Sequence, residues 1–531
     1  MINSRRYLMR IILPAFSFPN IFSRVAKVTT SLGPICVATA VSKLEKWDVE
    51  VIDENNCGSR FCPKDVNGYP DHIRLQEERP ADVVGFYGSL TSVIPRLYKL
   101  AALYKSFGVK TVTGGKHVEH LPEEALDNNI DVVVLGEGEN TIKDVLLAWQ
   151  EGQSLEKVAG IVSRKAGEII KTVKQPLISD FEEIPFPDFN LLRYAKLKVY
   201  PLGRIRGCNM NCEFCVVKEK VRCSPPQHII RQIAYLVENR KARTFFETSD
   251  HFAANRDDTI TFCRMLRDYQ QKVNVKISMT VQIRINDAQD TELLQAMKEA
   301  GIQNLAIGFE SPIDEELKAM RKGYLSADMI RWTETLHRYG FFIHGMFIFG
   351  YPKKTTSGHR LTLEKKTSHF YTFIKKARID TVQILLTVPL PGTELRRRLE
   401  KEGRIYSLEH IGWEYYDGQF PLFEPDDNTT PEELQKAAKL IMSRIYCSRR
   451  LLQIIINIII HFPFMVLLST VSIVSFRVKY IIKAFIRWKQ GYFRNSLARF
   501  GGYILLKKWV KKFNKDKFLE SLARTRAKNS F

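Results

Sequence analysis

The chain has 531 residues, enough for about three domains with sizeable cores. Nine cysteines, an odd number with no regular framework, argue against a disulfide-stapled secreted protein and for a reducing compartment. The formal net charge of +22 is uneven: from Ile441 onward there are 19 Lys and Arg against Asp516 and Glu520 alone. A basic tail follows a nearly neutral body, so the tail and not the whole protein invites an anionic partner. At the N-terminus, the apolar run after Arg5 and Arg6 is too short for a signal peptide and lacks a small-residue cleavage site. It reads as a buried first strand.

Residues 1–160 alternate short apolar runs with helical patterns. Strands are predicted at 10–14, 49–53, 83–87, 110–113 and 132–135, with helices such as 93–107 and 122–128 between them. Such units predict a doubly wound parallel sheet that binds ligands beyond the carboxyl ends of its strands. The residues there are Asp53-Glu54-Asn55, Gly88-Ser89-Leu90-Thr91, Gly114-Gly115-Lys116-His117 and Gly136-Glu137-Gly138-Glu139. Glycines let a ligand approach the backbone, and hydroxyls can meet its polar edges. No Gly-x-Gly-x-x-Gly follows the first strand, which argues against a dinucleotide. Residues 161–195 read as a linker, ending in the extended Ile184-Pro-Phe-Pro-Asp-Phe-Asn190.

A second strand–helix alternation fills 196–415. Strands are predicted at 199–205, 244–248, 275–281, 304–309, 342–349 and 381–388, and helices at 227–239, 257–271, 290–300 and 327–339. Six units predict a partial barrel with its chemistry at the carboxyl ends of the strands. The first strand is followed by Cys208-Asn-Met-Asn-Cys212-Glu-Phe-Cys215, three cysteines on a short loop. Three thiolates there suit a soft metal or an iron–sulfur cluster. Zinc is the rival, but a structural zinc wants a fourth ligand at paired spacing, and none is present. The other strand ends carry Ser249-Asp250, Gln282 and Arg284, Glu310-Ser311, Gly350-Tyr351-Pro352 and Pro389-Leu-Pro-Gly-Thr393. Walker A, His-Glu-x-x-His, Gly-x-Ser-x-Gly and kinase signatures are missing.

The x3, x2 cysteine spacing resembles that of the radical S-adenosylmethionine (SAM) family, and residues 1–160 resemble the cobalamin-binding domain found ahead of many of its members. The resemblance implies that Cys208, Cys212 and Cys215 hold three irons of a [4Fe-4S] cluster, leaving the fourth iron open. It implies SAM contacts at Phe214, Ser249, Asp250, Gln282, Arg284, Glu310 and Ser311, with Arg284 facing the carboxylate and the acidic and hydroxyl groups facing the ammonium. For cobalamin it implies Ser89, Thr91, Gly114, Gly115, His117, Gly136 and Glu137. The Asp-x-His-x-x-Gly motif that supplies a lower axial imidazole elsewhere is absent, so any cobalamin binds without it. In such enzymes a reduced cluster cleaves SAM to a 5′-deoxyadenosyl radical that takes hydrogen from an unactivated carbon. The electron comes from a donor such as flavodoxin or ferredoxin. Methylcobalamin then makes the outcome a C-methylation. Without cobalamin, the alternatives are radical coupling, cyclisation or oxidation.

Residues 416–450 read as a helical extension with Thr430 as an N-cap. An uncharged run of about 26 residues follows at 451–476, divided by Pro463 and flanked by Arg449, Arg450, Arg477 and Lys479. Basic flanks on both sides predict a re-entrant or interfacial hairpin on the cytoplasmic face, with a simple transmembrane helix and a buried soluble helix as the alternatives. The basic–aromatic stretches after it suit an anionic membrane surface. The same composition could hold RNA, but the adjacent uncharged run favours lipid and makes nucleic acid the weaker reading. The fold class expected is α/β: a cobalamin-binding-like parallel sheet, a partial (β/α)6 barrel and a membrane-associating tail over 451–531. The expected substrate is a lipid or another apolar small molecule.

Overall fold

The structure is a computed structural model that describes residues 6–354, 361–426, 429–447 and 515–529, with isolated residues at 452, 456, 500, 501 and 504. The uncharged run and most of the basic tail lie outside the described residues. No helix among the described residues is long and apolar enough to cross a membrane. The chain forms two compact units, Met1–Met279 with Val388–Phe423 and Lys515–Phe531, and Thr280–Thr387 with Glu424–Asn514.

In the first unit, strands β1 (Tyr7–Leu13), β2 (Trp47–Asp53), β3 (Val83–Tyr87), β4 (Lys110–Gly114) and β5 (Val132–Val134) are parallel neighbours. Their Val and Ile runs are buried on both faces, as parallel strands covered by helices require. The sheet is completed by β6 (Ile161–Lys165), β7 (Glu168–Lys171) and β8 (Leu192–Arg193), in the order β7-β6-β5-β4-β3-β1-β2-β8. The strand order reverses between β1 and β3, which opens a crevice beyond the carboxyl ends.

Two details differ from the sequence reading. The expected linker starts with the antiparallel β6–β7 hairpin, which turns on Ala166 (φ 49°) and Gly167 (φ 89°). Two successive positive φ values make a tight hairpin turn, here without the usual Asn-Gly signal. In β1, an interior strand between β3 and β2, a buried charge sits inside an apolar run. Arg10 is fully buried in β1 and donates from Nε to Glu50 Oε1 of β2 at 2.7 Å.

The cysteine-bearing region starts with β9 (Tyr200–Leu202), parallel to β12 (Thr244–Glu247). The single strand expected at 199–205 breaks at Gly203, where an added Cβ would lie 2.8 Å from Leu32 Cδ2. Beyond the break, β10 (Ile205–Arg206) pairs antiparallel with β11 (Arg222–Cys223), and the cysteine loop is the arch between them.

The helix Lys515–Asn529 belongs to the same unit. Its Phe518 and Leu522 are fully buried, and Phe518 packs on Tyr415 and Phe420 at 5.2 and 4.7 Å between ring centroids. This corrects the membrane-associating reading over that stretch. Its apolar face covers protein, which is worth roughly 1.5–3 kcal/mol per large side chain.

The second unit holds β13 (Ser278–Ile283), β14 (Asn304–Glu310), β15 (Phe342–Phe349) and β16 (Thr381–Leu386), all parallel and joined by helices. The helix Pro431–Ile445 begins at the expected cap: Thr430 Oγ1 accepts from Glu433 N at 3.2 Å, and Glu433 Oε2 accepts from Thr430 N at 2.9 Å. Tyr446 anchors its end by donating to Val382 O and accepting from Val382 N on β16.

Candidate active site

In the first unit, the crevice opens into a cavity of about 460 Å³. One wall is the carboxyl rim of the sheet, with Gly114, Gly115 and Gly136; the opposite wall is the β10–β11 hairpin with Arg206, Glu219 and Arg222, and Asp250 after β12. Gly115 has φ 125°, and a Cβ there would come within 2.6 Å of Ser89 N, so only glycine fits without strain. Gly136 (φ 69°) has no heavy atom within 4 Å of where a Cβ would project. This bare rim is the surface a broad, flat cofactor needs, so the residues present fit a corrin.

The cysteine arch is held from several sides. Cys208 N donates to Glu219 O at 3.3 Å, and Asn209, itself at φ 55°, accepts from Val221 N at 3.0 Å. Lys218 Nζ donates to Asn211 Oδ1 and to Cys212 O. An added Cβ on Gly207 would reach Lys220 O, so the arch closes tightly at its base. Glu213 is buried and pairs with Arg398 at 3.1 Å, while Glu213 O accepts from Leu395 N. Burial pushes the Cys215 thiol up to about 11, with the nearby Cys212, Asp250 and Cys208 adding to it. The arch thus carries three thiols, and thiolates are the donors that an iron–sulfur cluster takes. Among the described residues, no three or more His, Cys, Asp or Glu side chains are grouped so as to hold a metal ion.

The other sequence-predicted residues divide into those that face a site and those taken up by the fold. Ser249 is buried; its hydroxyl accepts from Ile205 N at 2.8 Å and donates to the Glu247 carboxylate. Glu247 is fully buried, and burial raises its carboxyl. Ser249 therefore braces the hairpin, whereas Asp250 faces the cavity. Among the cobalamin candidates, Gly114, Gly115, Gly136 and Glu137 line the cavity, and Ser89, Thr91 and His117 do not. His117 is buried edge-on to Trp413 at 4.9 Å between ring centroids, with Nδ1 3.2 Å from Thr91 Oγ1. Ser89 Oγ accepts from Lys116 N. The Pro389–Thr393 turn, expected on the barrel rim, packs on the N-terminal region: an added Cβ on Gly392 would meet the His120 ring.

In the second unit, Glu310 follows a register shift in β14 and has φ 62°. Its Oε1 lies 3.1 Å from Lys322 Nζ. Arg284 Nη2 donates to Lys322 O at 2.9 Å, and its guanidinium lies 6.0 Å from the Tyr324 ring centroid. Arg284 and Glu310 are therefore brought together around Lys322, a buried lysine that the sequence reading missed. Its only signal was the Arg321-Lys322-Gly323 run after the expected strand. Gln282 lies two residues before Arg284 on β13. Ser311 is fully buried and turned elsewhere, donating to Glu316 Oε2 at 2.5 Å. Lys116, Glu219, Arg206 and Arg222 were also missed as cavity residues. The bracketing of the cysteines by two arginines was the available clue.

The family model for the radical SAM superfamily matches residues 203–364, and that for the B12 binding domain matches residues 21–146. A methyltransferase of Pyrococcus horikoshii, described as uncharacterized, is 28% identical over 73% of this chain and 83% of its own length. The hopanoid C-2 methylase of Rhodopseudomonas palustris is 26% identical over 68% of this chain and 63% of its own. Among solved structures, the radical SAM methyltransferase TsrM from Kitasatospora setae, with cobalamin and a [4Fe-4S] cluster bound, has a TM-score of 0.58. The match has 15% identity and covers 75% of this chain and 78% of that one, a likeness of fold.

Proposed function

We propose, on the premise that the chain is a radical SAM superfamily enzyme with an N-terminal B12-binding domain, that it methylates an unactivated carbon of an apolar small molecule. Its cofactors are a [4Fe-4S] cluster, SAM and cobalamin, and it is a cobalamin-dependent methyltransferase. When bound, the cluster supplies an electron for cleavage of the SAM sulfonium, and cobalamin supplies the methyl group.

The chain's own residues bind and position these groups. Cys208, Cys212 and Cys215 hold the cluster on an arch braced by Glu213–Arg398 and by the Ser249 hydroxyl. Arg284 and Lys322 offer cationic partners to the SAM carboxylate, and Glu310 offers an acceptor to its ammonium. Asp250, Phe214 and Gln282 remain candidates for further contacts with SAM. The glycines at 114, 115 and 136 leave the corrin room against the sheet. The observation that carries the proposal is a cavity walled on one side by the glycine rim and on the other by the cysteine-bearing hairpin.

The apolar substrate class is supported by the uncharged run at 451–476 and the basic residues around it, which suit attachment to an anionic membrane face. The hopanoid C-2 methylase is a relative whose named substrate is apolar. Four measurements test the proposal. Anaerobic reconstitution should give corrin absorption bands, and their absence sinks the cobalamin reading. Replacing Cys208, Cys212 and Cys215 with Ala should abolish cluster absorption and 5′-deoxyadenosine formation; survival of both overturns the cluster assignment. Lipid extracts of a deletion strain should lack a methylated species present in the parent, and flotation of a variant without residues 451–476 reports on membrane attachment.

A further inference from the structure

The Glu137 carboxylate lies on the cavity wall, but both of its oxygens are taken by the cysteine-bearing hairpin and its surroundings. Oε1 accepts from Arg206 Nη1 at 2.7 Å and from Arg222 Nη2 at 2.9 Å; Oε2 accepts from Ile178 N at 2.8 Å and from Arg222 Nη1 at 3.2 Å. Arg206 and Arg222 face each other across the β10–β11 pair, one on each leg of the arch that carries the three cysteines. One carboxylate at the end of β5 thus grips both legs. Glu139, two residues on, takes the second arm of Arg206 at 2.6 Å. The Phe181 ring lies under both guanidiniums, at 5.3 and 5.8 Å. On the far side of the arch, Lys116, just beyond the glycine rim, pairs with Glu219.

We propose that Glu137 is a positioning residue, a clamp that fixes the cysteine arch to the rim of the N-terminal sheet and so sets the spacing between the two cofactor sites. The inference rests on the cofactor assignment above. The partners are part-buried, with side-chain exposures of 14% for Glu137, 19% for Arg222 and 29% for Arg206. The contacts are forked and charge-assisted, which gives direction as well as strength. Substrate radical and methyl donor must meet within a narrow range of distance, so a clamp between their supports acts on geometry and not on chemistry.

Hydrogen–deuterium exchange on the full chain, prepared anaerobically, tests this without turnover. Glu137→Gln should speed exchange of the amides in 207–221 by about tenfold, as loss of charge-assisted hydrogen bonds implies, with 83–87 and 110–114 unchanged. Glu137→Asp, which keeps the charge, should exchange more slowly than Glu137→Gln. Arg222→Gln, which leaves the Arg206 contact, should show a smaller rise in the same window and serves if Glu137→Gln does not fold. An unchanged window, an equal rise across the whole sheet, or an Asp variant no better than Gln overturns the clamp. Hydroxocobalamin added to the parent should slow exchange in 207–221, and in Glu137→Gln this slowing should be lost; its persistence there also overturns the clamp. Failure of hydroxocobalamin to bind the parent instead sinks the cobalamin reading, and the cofactor-free exchange result still decides the clamp.

Discussion

Glu50 and Glu137 are the same residue in the same kind of grip, yet they serve different ends. Glu50 lies inside β2, 1% exposed, and pairs with Arg10, Arg79 and Arg193. Its partners come from the sheet and from the segment that packs beside it, so the network holds a core together. Glu137 lies just past β5 and pairs with arginines on the two legs of the cysteine-bearing arch, the loop proposed to hold the cluster. Burial raises both carboxyls, but the arginines overcome it and hold both below the usual carboxylate range. Asp53, also buried, meets the neutral donors of Thr30, Asn55 and Asn56; burial pushes its carboxyl up to about 6. Of these three carboxylates, the two gripped by guanidinium stay easy to ionise and the one met by neutral donors is costly to ionise.

The comparison can be broken most directly at Glu50. Glu50→Gln leaves buried Arg10 short of its counter-charge, and urea denaturation should show a loss of about 3–5 kcal/mol. A loss no larger than that of Glu137→Gln would erase the distinction between core and clamp. Next in size is Gly115→Ala, which puts a Cβ at a positive φ against Ser89 N. It should cost about 1–3 kcal/mol by denaturation and weaken hydroxocobalamin binding, read from visible titration.

At Asp53 the effect is of similar size at high pH and fades as pH falls. Its folded-state pKa lies above the unfolded value near 4, so the protonated form favours the fold. Stability is therefore lost as pH rises from about 4 through about 6, and the full penalty persists above that range. Asp53→Asn should raise stability by about 1–3 kcal/mol at pH 8 and change little at pH 3. A gain of equal size at both pH values would point to packing instead.

Much of the fold was legible because parallel strands buried on both faces are rich in β-branched residues, and the stretches at 83–87, 110–113 and 132–135 became β3, β4 and β5. The cap at Thr430 was legible for a similar reason, since its partner Glu433 is three residues away. Less was legible at the site. Ser249, Ser311, Thr91 and His117 have the residue types that bind ligands, but Ser249 is taken up by Ile205 N, Ser311 by Glu316, and Thr91 Oγ1 and His117 Nδ1 by each other. Residue type does not say which way a loop faces. The Glu137–Arg222 pair spans 85 residues, and Lys322 reaches back 12 residues to Glu310. Neither separation has a periodicity that a local pattern can carry.

The buried Phe518 and Leu522 have a consequence for how the first unit is closed. They cap the aromatic cluster of Tyr415 and Phe420, so removing the helix Lys515–Asn529 would uncover aromatic surface on a region far away in sequence. A truncated chain would then carry a sticky patch where the full chain carries a lid.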